Sequence, residues 1–161
     1  MIMHRNYLEY QDKKMGRFKA KCDNCKGAKV LSETLRSYLL PDQSTLNIFR
    51  TFAWCNRCTE VVWAERLPEL DELSKPDAIE WRESRSAPAK CLTCGSSDIV
   101  PARAGHTNSG KEKHEIDCPA CHGVIRVLRE PVLSLDRGWI LYSSEGDLIQ
   151  DHEIFPSPNR E

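Results

Sequence analysis

Apolar residues recur along the chain in short runs whose composition is typical of β-strands. The segments TLNIFRTFAW (45–54) and TEVVWAE (59–65) are rich in β-branched and aromatic residues, and so is GVIRVLR (123–129). WILY, a turn at residues 144–146, and DLI together predict a β-hairpin. SETLRSYLL (32–40) fits helical spacing as well as strand alternation, and we interpret it as a strand. The pattern therefore predicts a mainly β protein.

One stretch departs from this pattern. In the segment LPELDEL (67–73) the leucines recur every three residues, and Ser74 with Asp77 has the sequence of a helical capping box ahead of AIEWRES. We therefore expect a charged helical linker between two β-rich units. Trp81 stands on this otherwise charged helix, where we expect it to be exposed and to contact a partner.

The cysteines add candidate chemistry, because all eight of them occur in CxxC pairs. Two residues between thiolates allow a tight turn to direct both sulfurs at one metal ion. Gly27, Gly95 and Gly123 follow three of the pairs closely, where we expect a positive φ. Four pairs with no unpaired cysteine predict two structural Zn²⁺ sites. In chain order, the predicted ligands are Cys22 and Cys25, Cys55 and Cys58, Cys91 and Cys94, and Cys118 and Cys121.

The spacing of the four pairs suggests which of them share a metal. The intervals are 29, 32 and 23 residues, and only the middle one has helical character. We therefore expect sequential pairing, first with second and third with fourth; a cross-braced arrangement is the alternative. An internal repeat favours the same interpretation, since Val61-Val62 and Val124-Ile125 stand at the same offset after the second and fourth pairs.

The cysteine motifs also resemble a known group of folds. CDNCKG followed by WCNRC, and CLTCG followed by CPACHG, are similar to the knuckles of the zinc-ribbon or rubredoxin-like group. The resemblance covers about 22–64 and 91–130, and it implies that two knuckles at the ends of β-hairpins clamp one metal. We thus expect two tandem zinc ribbons joined by a helical linker. The expected parts are an N-terminal extension (1–13), a first zinc ribbon (14–64), the linker (65–89), a second zinc ribbon with a C-terminal hairpin (90–150) and a tail (151–161).

Other chemistries fit the cysteines less well. CPACH (118–122) matches a c-type haem attachment motif, but the same two thiols are needed to complete a second site. A redox dithiol would use one CxxC in a βαβ setting rather than four evenly spread pairs. Iron is an alternative to zinc, because four thiolates accept either metal. His106 and His114 could replace a cysteine ligand, but eight cysteines already complete two sites, so we expect these histidines in a loop or strand. We expect His122 to be exposed or to donate a hydrogen bond to a metal ligand.

Compartment and charge bear on function. The N-terminal residues lack the pattern of a signal peptide and no run of 18 apolar residues occurs, so we expect a cytoplasmic protein without a membrane span. In a reducing cytosol thiols bind metals more readily than they form disulfides.

Residues 1–64 hold 11 Lys/Arg against 6 Asp/Glu, whereas residues 91–161 hold 7 against 11. The basic excess is greatest in residues 13–29, where Phe18 interrupts the cations.

Two classes of function follow. With a net charge of −1, a non-catalytic protein-interaction module is favoured: an adaptor, an inhibitor or an immunity-type protein. The alternative is a nucleic-acid-binding or transcription-associated ribbon that uses the basic first half. No nucleophile–base pair or cofactor loop stands out, so we expect neither an enzyme nor a small-molecule substrate.

Overall fold

The computed structural model describes residues 16–131 and 139–150, so the predicted extension (1–13) and tail (151–161) lie outside the described residues. The described chain is mainly β, as predicted, and contains one α-helix and one short 3-10 helix (Leu70–Glu72). The strands and the helix are β1 (Arg17–Cys22), β2 (Ala28–Ser32), β3 (Leu35–Leu39), β4 (Thr45–Asn47), β5 (Arg50–Cys55), β6 (Glu60–Glu65), α1 (Pro76–Ser84), β7 (Ile99–Pro101), β8 (Arg103–His106), β9 (Glu112–Asp117), β10 (Val124–Arg129), β11 (Trp139–Ser143) and β12 (Leu148–Gln150).

These strands form three sheets. The largest has the order β2-β1-β10-β9-β8, a four-stranded sheet has the order β12-β11-β3-β4, and a three-stranded sheet has the order β6-β5-β7. Neighbouring strands are antiparallel except β3 and β11, which are parallel. Each sheet joins strands from the two stretches of chain that the sequence assigned to separate ribbons: β1 with β10, β3 with β11, and β5 with β7.

The C-terminal hairpin and the strand at 32–40 are both confirmed. β11 and β12 flank a turn in which Gly146 has a φ of 84°, and β3 occupies Leu35–Leu39. The hairpin does not extend a sheet of the second predicted ribbon, however. It pairs in parallel with β3, with Trp139 opposite Leu35, and Trp139 is completely buried there.

The core between the five-stranded and three-stranded sheets is aromatic. Phe18 on β1 lies 4.9 Å from Phe52 and 5.6 Å from Trp63, measured between ring centroids, and Phe52 stacks on Trp63 at 4.1 Å. Strand alternation accounts for the position of Phe18: alternate residues of β1 point to opposite faces, so Phe18 is buried while Lys19 is exposed. Two sheets of short strands thereby share one apolar interior.

The helix begins with a different signal from the one predicted. Pro76 occupies its first turn, and the N-cap residue Lys75 makes no side-chain capping bond, so the predicted capping box does not form. No helix among the described residues is long and apolar enough to cross a membrane.

Trp81 on α1 is buried, and the prediction that it contacts a partner is wrong. Its side chain is 2% exposed and stacks on Tyr38 with 4.7 Å between ring centroids. Its indole N–H donates to the carbonyl of Ser144 at 2.9 Å. The inward position removes the apolar ring from water and still gives its N–H a hydrogen-bond acceptor, which is why this tryptophan on a charged helix is buried.

A buried ion pair between Glu65 and Arg85 lies where these elements meet. Both side chains are 0% exposed. The guanidinium donates two hydrogen bonds to the carboxylate, each 2.8 Å, and the carboxylate also accepts from the Tyr38 hydroxyl and from the Lys90 amide at 3.0 Å. Burial and the neighbouring Glu65 carboxylate raise the pKa of Tyr38 above its usual range, so the phenol stays protonated and donates.

The β11–β12 turn packs directly on this carboxylate. A Cβ added to Gly146 would come within 2.8 Å of the Glu65 carboxyl carbon, and the positive φ at this position further favours glycine. Arg85 continues the network by donating to the carbonyls of Ala87 and Pro88. The ion pair therefore joins β3, β6, the segment after α1 and the C-terminal hairpin.

Removing one partner of this pair should destabilise the protein strongly. Arg85→Met leaves the Glu65 carboxylate buried without its cation, and we expect the free energy of unfolding to fall by about 3–5 kcal/mol. Urea denaturation of the metal-loaded protein measures the loss.

Arg66→Met is the matched control, because Arg66 pairs with Glu72 at 2.7 Å on the surface. That substitution should cost less than about 1 kcal/mol. Equal losses from the two variants would show that the buried pair does not hold the elements together.

Candidate metal centres

The eight predicted ligands form two groups of four in space. Within each group the sulfur atoms all lie within 4.8 Å of one another. The outer tetrad, built from residues near both ends of the chain, is Cys22, Cys25, Cys118 and Cys121. The inner tetrad, built from residues between them, is Cys55, Cys58, Cys91 and Cys94.

This arrangement corrects the predicted pairing. The first CxxC pair meets the fourth and the second meets the third, so the sites are nested rather than sequential, and they are not cross-braced either. The physical reason is the strand pairing: β1 lies antiparallel to β10, with Cys22 opposite Ile125, which brings the turn after β1 beside the turn before β10. Similar spacings along the chain could not reveal this, because each pair has the same local form.

The outer tetrad lies between two hairpin turns of the five-stranded sheet. Its first pair occupies the β1–β2 turn and its second pair the β9–β10 turn. The Sγ atoms of Cys22 and Cys121 are 3.3 Å apart, and those of Cys25 and Cys118 are 3.9 Å apart.

The inner tetrad joins the β5–β6 turn to the segment ahead of β7. Cys91 forms an isolated bridge with Ala64 on β6, which aligns its pair with the turn. The Sγ atoms of Cys55 and Cys94 are 3.5 Å apart, and those of Cys58 and Cys91 are 3.8 Å apart.

Both groups fit a tetrahedral metal ion. With metal–sulfur bonds of about 2.3 Å, the sulfurs of a tetrathiolate site stand about 3.8 Å apart. The short Sγ–Sγ separations of 3.3–3.9 Å lie close to that value, and all sulfurs of a tetrad lie within 4.8 Å of one another. The shortest of them is well beyond a disulfide bond of about 2.05 Å. Each tetrad can therefore hold one metal ion through four thiolates.

Backbone N–H groups at the turns favour the charged thiolate form of the cysteine ligands. Amide N–H groups approach the cysteine sulfurs, as in the bonds from Cys58 to Cys55 Sγ at 3.3 Å and from Cys94 to Cys91 Sγ at 3.4 Å. At the fourth pair, the Gly123 N–H points at its cysteine sulfur at 3.4 Å. Such bonds favour the thiolate that metal binding requires.

The expectation of positive φ after the pairs holds at Gly27 (90°) and Gly95 (78°) but not at Gly123. There His122 has the positive φ, at 61°, and Thr59 does the same after the second pair, at 55°. Sequence reasoning missed both residues, although each directly follows the second cysteine of its pair, as Gly95 does. At Gly123 space is limited instead, since an added Cβ would lie 2.7 Å from the Asn24 amide nitrogen and 3.2 Å from the Cys121 sulfur.

Thiol pKa values show how crowded the sulfurs are. Hydrogen bonds from the backbone, chiefly from Cys25, lower the pKa of Cys22 to about 6, while hydrogen bonding to Cys121 raises the pKa of Cys25 to about 12. In the inner tetrad burial raises the pKa of Cys58 and of Cys91. Four clustered sulfurs cannot all ionise alone, so a bound cation is what allows all four to become thiolates.

The histidines considered as alternative ligands belong to neither tetrad. His106 ends β8 and His122 is exposed. His114 lies on β9, where its ring contacts the edge of Phe52 at 5.0 Å and its Nε2 is 2.9 Å from Glu112. The tetrads in the described chain are thus made of cysteine alone.

Fold and sites together define a mainly β protein with two nested tetracysteine centres. No protein-family model matches the chain, and neither a curated protein nor a solved structure matches it.

Paired substitutions should distinguish nested from sequential sites. Cys22→Ser/Cys118→Ser removes two ligands from the outer tetrad only, so we expect one metal ion per chain. Cys22→Ser/Cys55→Ser damages both tetrads and should leave none. Elemental analysis after gel filtration gives the stoichiometry. Retention of one ion by the second variant and none by the first would contradict the nested arrangement.

Fragments provide an independent check. Division after Ala89 splits both tetrads, so neither half should bind a metal ion through four thiolates. A fragment of residues 45–101 contains the whole inner tetrad and should bind one. Cobalt titration, followed by the absorption bands of tetrathiolate Co²⁺, measures each. One equivalent bound by each half would restore the sequential scheme.

Proposed function

We propose that both tetrads bind structural Zn²⁺ and that the protein is a non-catalytic protein–protein interaction module of the zinc-ribbon kind. The observation that carries the proposal is the complete set of four cysteines in each tetrad. Structural zinc sites are closed by four protein ligands, whereas catalytic ones keep a position open for water or substrate. Four thiolates accept iron as well, but nothing in the surrounding residues indicates electron transfer, so zinc is the proposed ion.

The placement of the tetrads supports a structural role. The outer one connects hairpins whose cysteines are 93 to 99 residues apart in sequence, and the inner one connects segments 33 to 39 residues apart. Closing such long loops by metal bonds supplies stability that sheets of short strands do not reach through burial alone. Glu65 and Arg85, the most deeply buried charged pair described, are engaged with each other. The proposal includes neither catalysis nor a small-molecule substrate.

The charge distribution favours a protein partner over nucleic acid. Folding places carboxylates of the acidic second half beside cations of the basic first half. Arg17 of the first half faces Glu130 of the second at 3.5 Å. Carboxylates also neutralise a cation of the second half, since Arg126 on β10 pairs with Asp23 and with Glu115. The predicted basic segment therefore belongs to a surface of mixed charge, where a continuous phosphate backbone would meet repulsion as well as attraction. Mixed polar surfaces are common at protein–protein interfaces.

Titration of the zinc-loaded protein with RNA and with duplex DNA over a salt series tests the class of partner. We expect weak binding without sequence preference. Affinity purification from nuclease-treated source cells should recover a protein at fixed stoichiometry. Tight binding to RNA or DNA with a steep salt dependence would favour the nucleic-acid alternative, because each phosphate contact releases counterions.

A further inference from the structure

One face of the five-stranded sheet is turned away from the core. We call it the outer face and define it by Lys19, Lys21, Val30, Arg126 and Leu128. These residues alternate along β1, β2 and β10 with buried ones such as Phe18, Leu31 and Val127. The registers place them side by side: Lys19 lies between Val30 and Leu128, and Lys21 is opposite Arg126.

Lys19 and Lys21 are the cations on this face that are free to bind. Their side chains leave β1 on the side opposite to Cys22, so they do not serve to neutralise the outer tetrad. Both are exposed, and neither has a carboxylate within ion-pair distance among residues 16–131 and 139–150. Arg126, by contrast, is engaged by two carboxylates.

The apolar members of the face are unusually exposed for their type. Val30 is 43% and Leu128 is 38% exposed, and they stand on either side of Lys19. A groove of about 490 Å³ runs along this surface, with Lys19, Lys21 and Leu128 in its lining. Asp23 and Glu130 also line it, but each is paired with an arginine, Asp23 with Arg126 and Glu130 with Arg17. Aliphatic walls beside two unpaired ammonium groups suit a ligand with both anionic and apolar parts.

Spacing specifies the ligand further. Residues two apart on one strand face lie roughly 6.7 Å apart, so the two ammonium groups repeat at the interval of alternate side chains of any extended peptide. A segment with acidic residues at alternate positions, lying along β1, can therefore pair with both lysines at once while its other atoms contact Val30 and Leu128.

We propose that the outer face binds a short, extended acidic segment of a partner protein, with carboxylates at alternate positions over Lys19 and Lys21. This inference rests on the proposed interaction function and names the surface and the chemistry of its partner.

A protein segment fits this face better than single-stranded nucleic acid. Along the described strands no aromatic residue lies on the outer face for a base to stack on, because Phe18 and His114 pack against Phe52 on the core side. Carboxylates also border it: Asp23 beyond one end of β1, Glu130 beyond one end of β10, and Glu115 on β9 opposite Arg126. They limit the anionic ligand to a short stretch, whereas a nucleic-acid strand carries a charge at every step.

The probe is a fluorescein-labelled peptide of repeated Glu-Thr, whose extended form places every glutamate on one face. Its control has the same composition arranged as Glu-Glu-Thr-Thr, which separates glutamates on one face by four residues. Fluorescence anisotropy with the zinc-loaded full chain should show tighter binding of the alternating peptide. Amide shifts in a ¹⁵N spectrum should be confined to β1, β2 and β10.

Lys19→Glu/Lys21→Glu should weaken binding of the alternating peptide by about tenfold or more. Lys75→Glu/Lys111→Glu changes the net charge equally at two exposed lysines elsewhere and should leave binding unchanged. Metal content and urea unfolding of both variants show whether each is folded. If Lys19→Glu/Lys21→Glu unfolds the protein, Lys19→Gln/Lys21→Gln is tested in its place.

Each other outcome overturns the inference. Absence of peptide binding, or equal binding of both peptides, would show that the outer face does not recognise carboxylates at alternate positions. The proposed interaction function would then be tested only by the affinity purification. Binding that survives the change at Lys19 and Lys21 places the contact elsewhere. Tighter binding of single-stranded RNA through the same two lysines would overturn both this inference and the protein-interaction proposal.

Discussion

The antiparallel pairing of β1 with β10 is the constraint on which the molecule depends. It joins strands more than a hundred residues apart, aligns Phe18 with Arg129 and Cys22 with Ile125, and places the first cysteine pair beside the fourth. Once these strands are paired, the intervening chain can complete only an enclosed second centre, which is the inner tetrad. The same pairing sets the two faces of the large sheet, one toward the aromatic core and the other toward solvent.

A second, independent link connects the enclosed part to the rest. Glu65 belongs to the strand that follows the second cysteine pair, Arg85 follows the helix, and Tyr38 and Gly146 come from the four-stranded sheet and its hairpin. A buried ion pair contributes little net stability compared with apolar residues of similar volume, but leaving one member unpaired is costly. Its effect is thus to specify one arrangement: only the native docking satisfies both charges together with the Tyr38 hydroxyl.

Local features of this protein could be predicted from sequence because they depend on neighbours in the chain. Strands at 45–54, 59–65 and 123–129 follow from β-branched and aromatic runs, and the C-terminal hairpin follows from its turn. Misassigned features had more than one local explanation. Trp81 on a charged helix suggests exposure, yet the stacked ring of Tyr38 and the Ser144 carbonyl that bury it are distant in sequence.

The sequence by itself determined that the cysteines act in pairs, because the CxxC turn needs only four residues to direct two sulfurs at one point. It also determined a mainly β chain, through the composition of its strands. The tertiary structure alone decided which pairs share a centre, that strands from both halves form common sheets, and that Glu65 and Arg85 meet in the interior. Those decisions depend on long-range strand register and on the burial of charge, and neither leaves a periodic signal in a single sequence because the partners are separated by tens of residues.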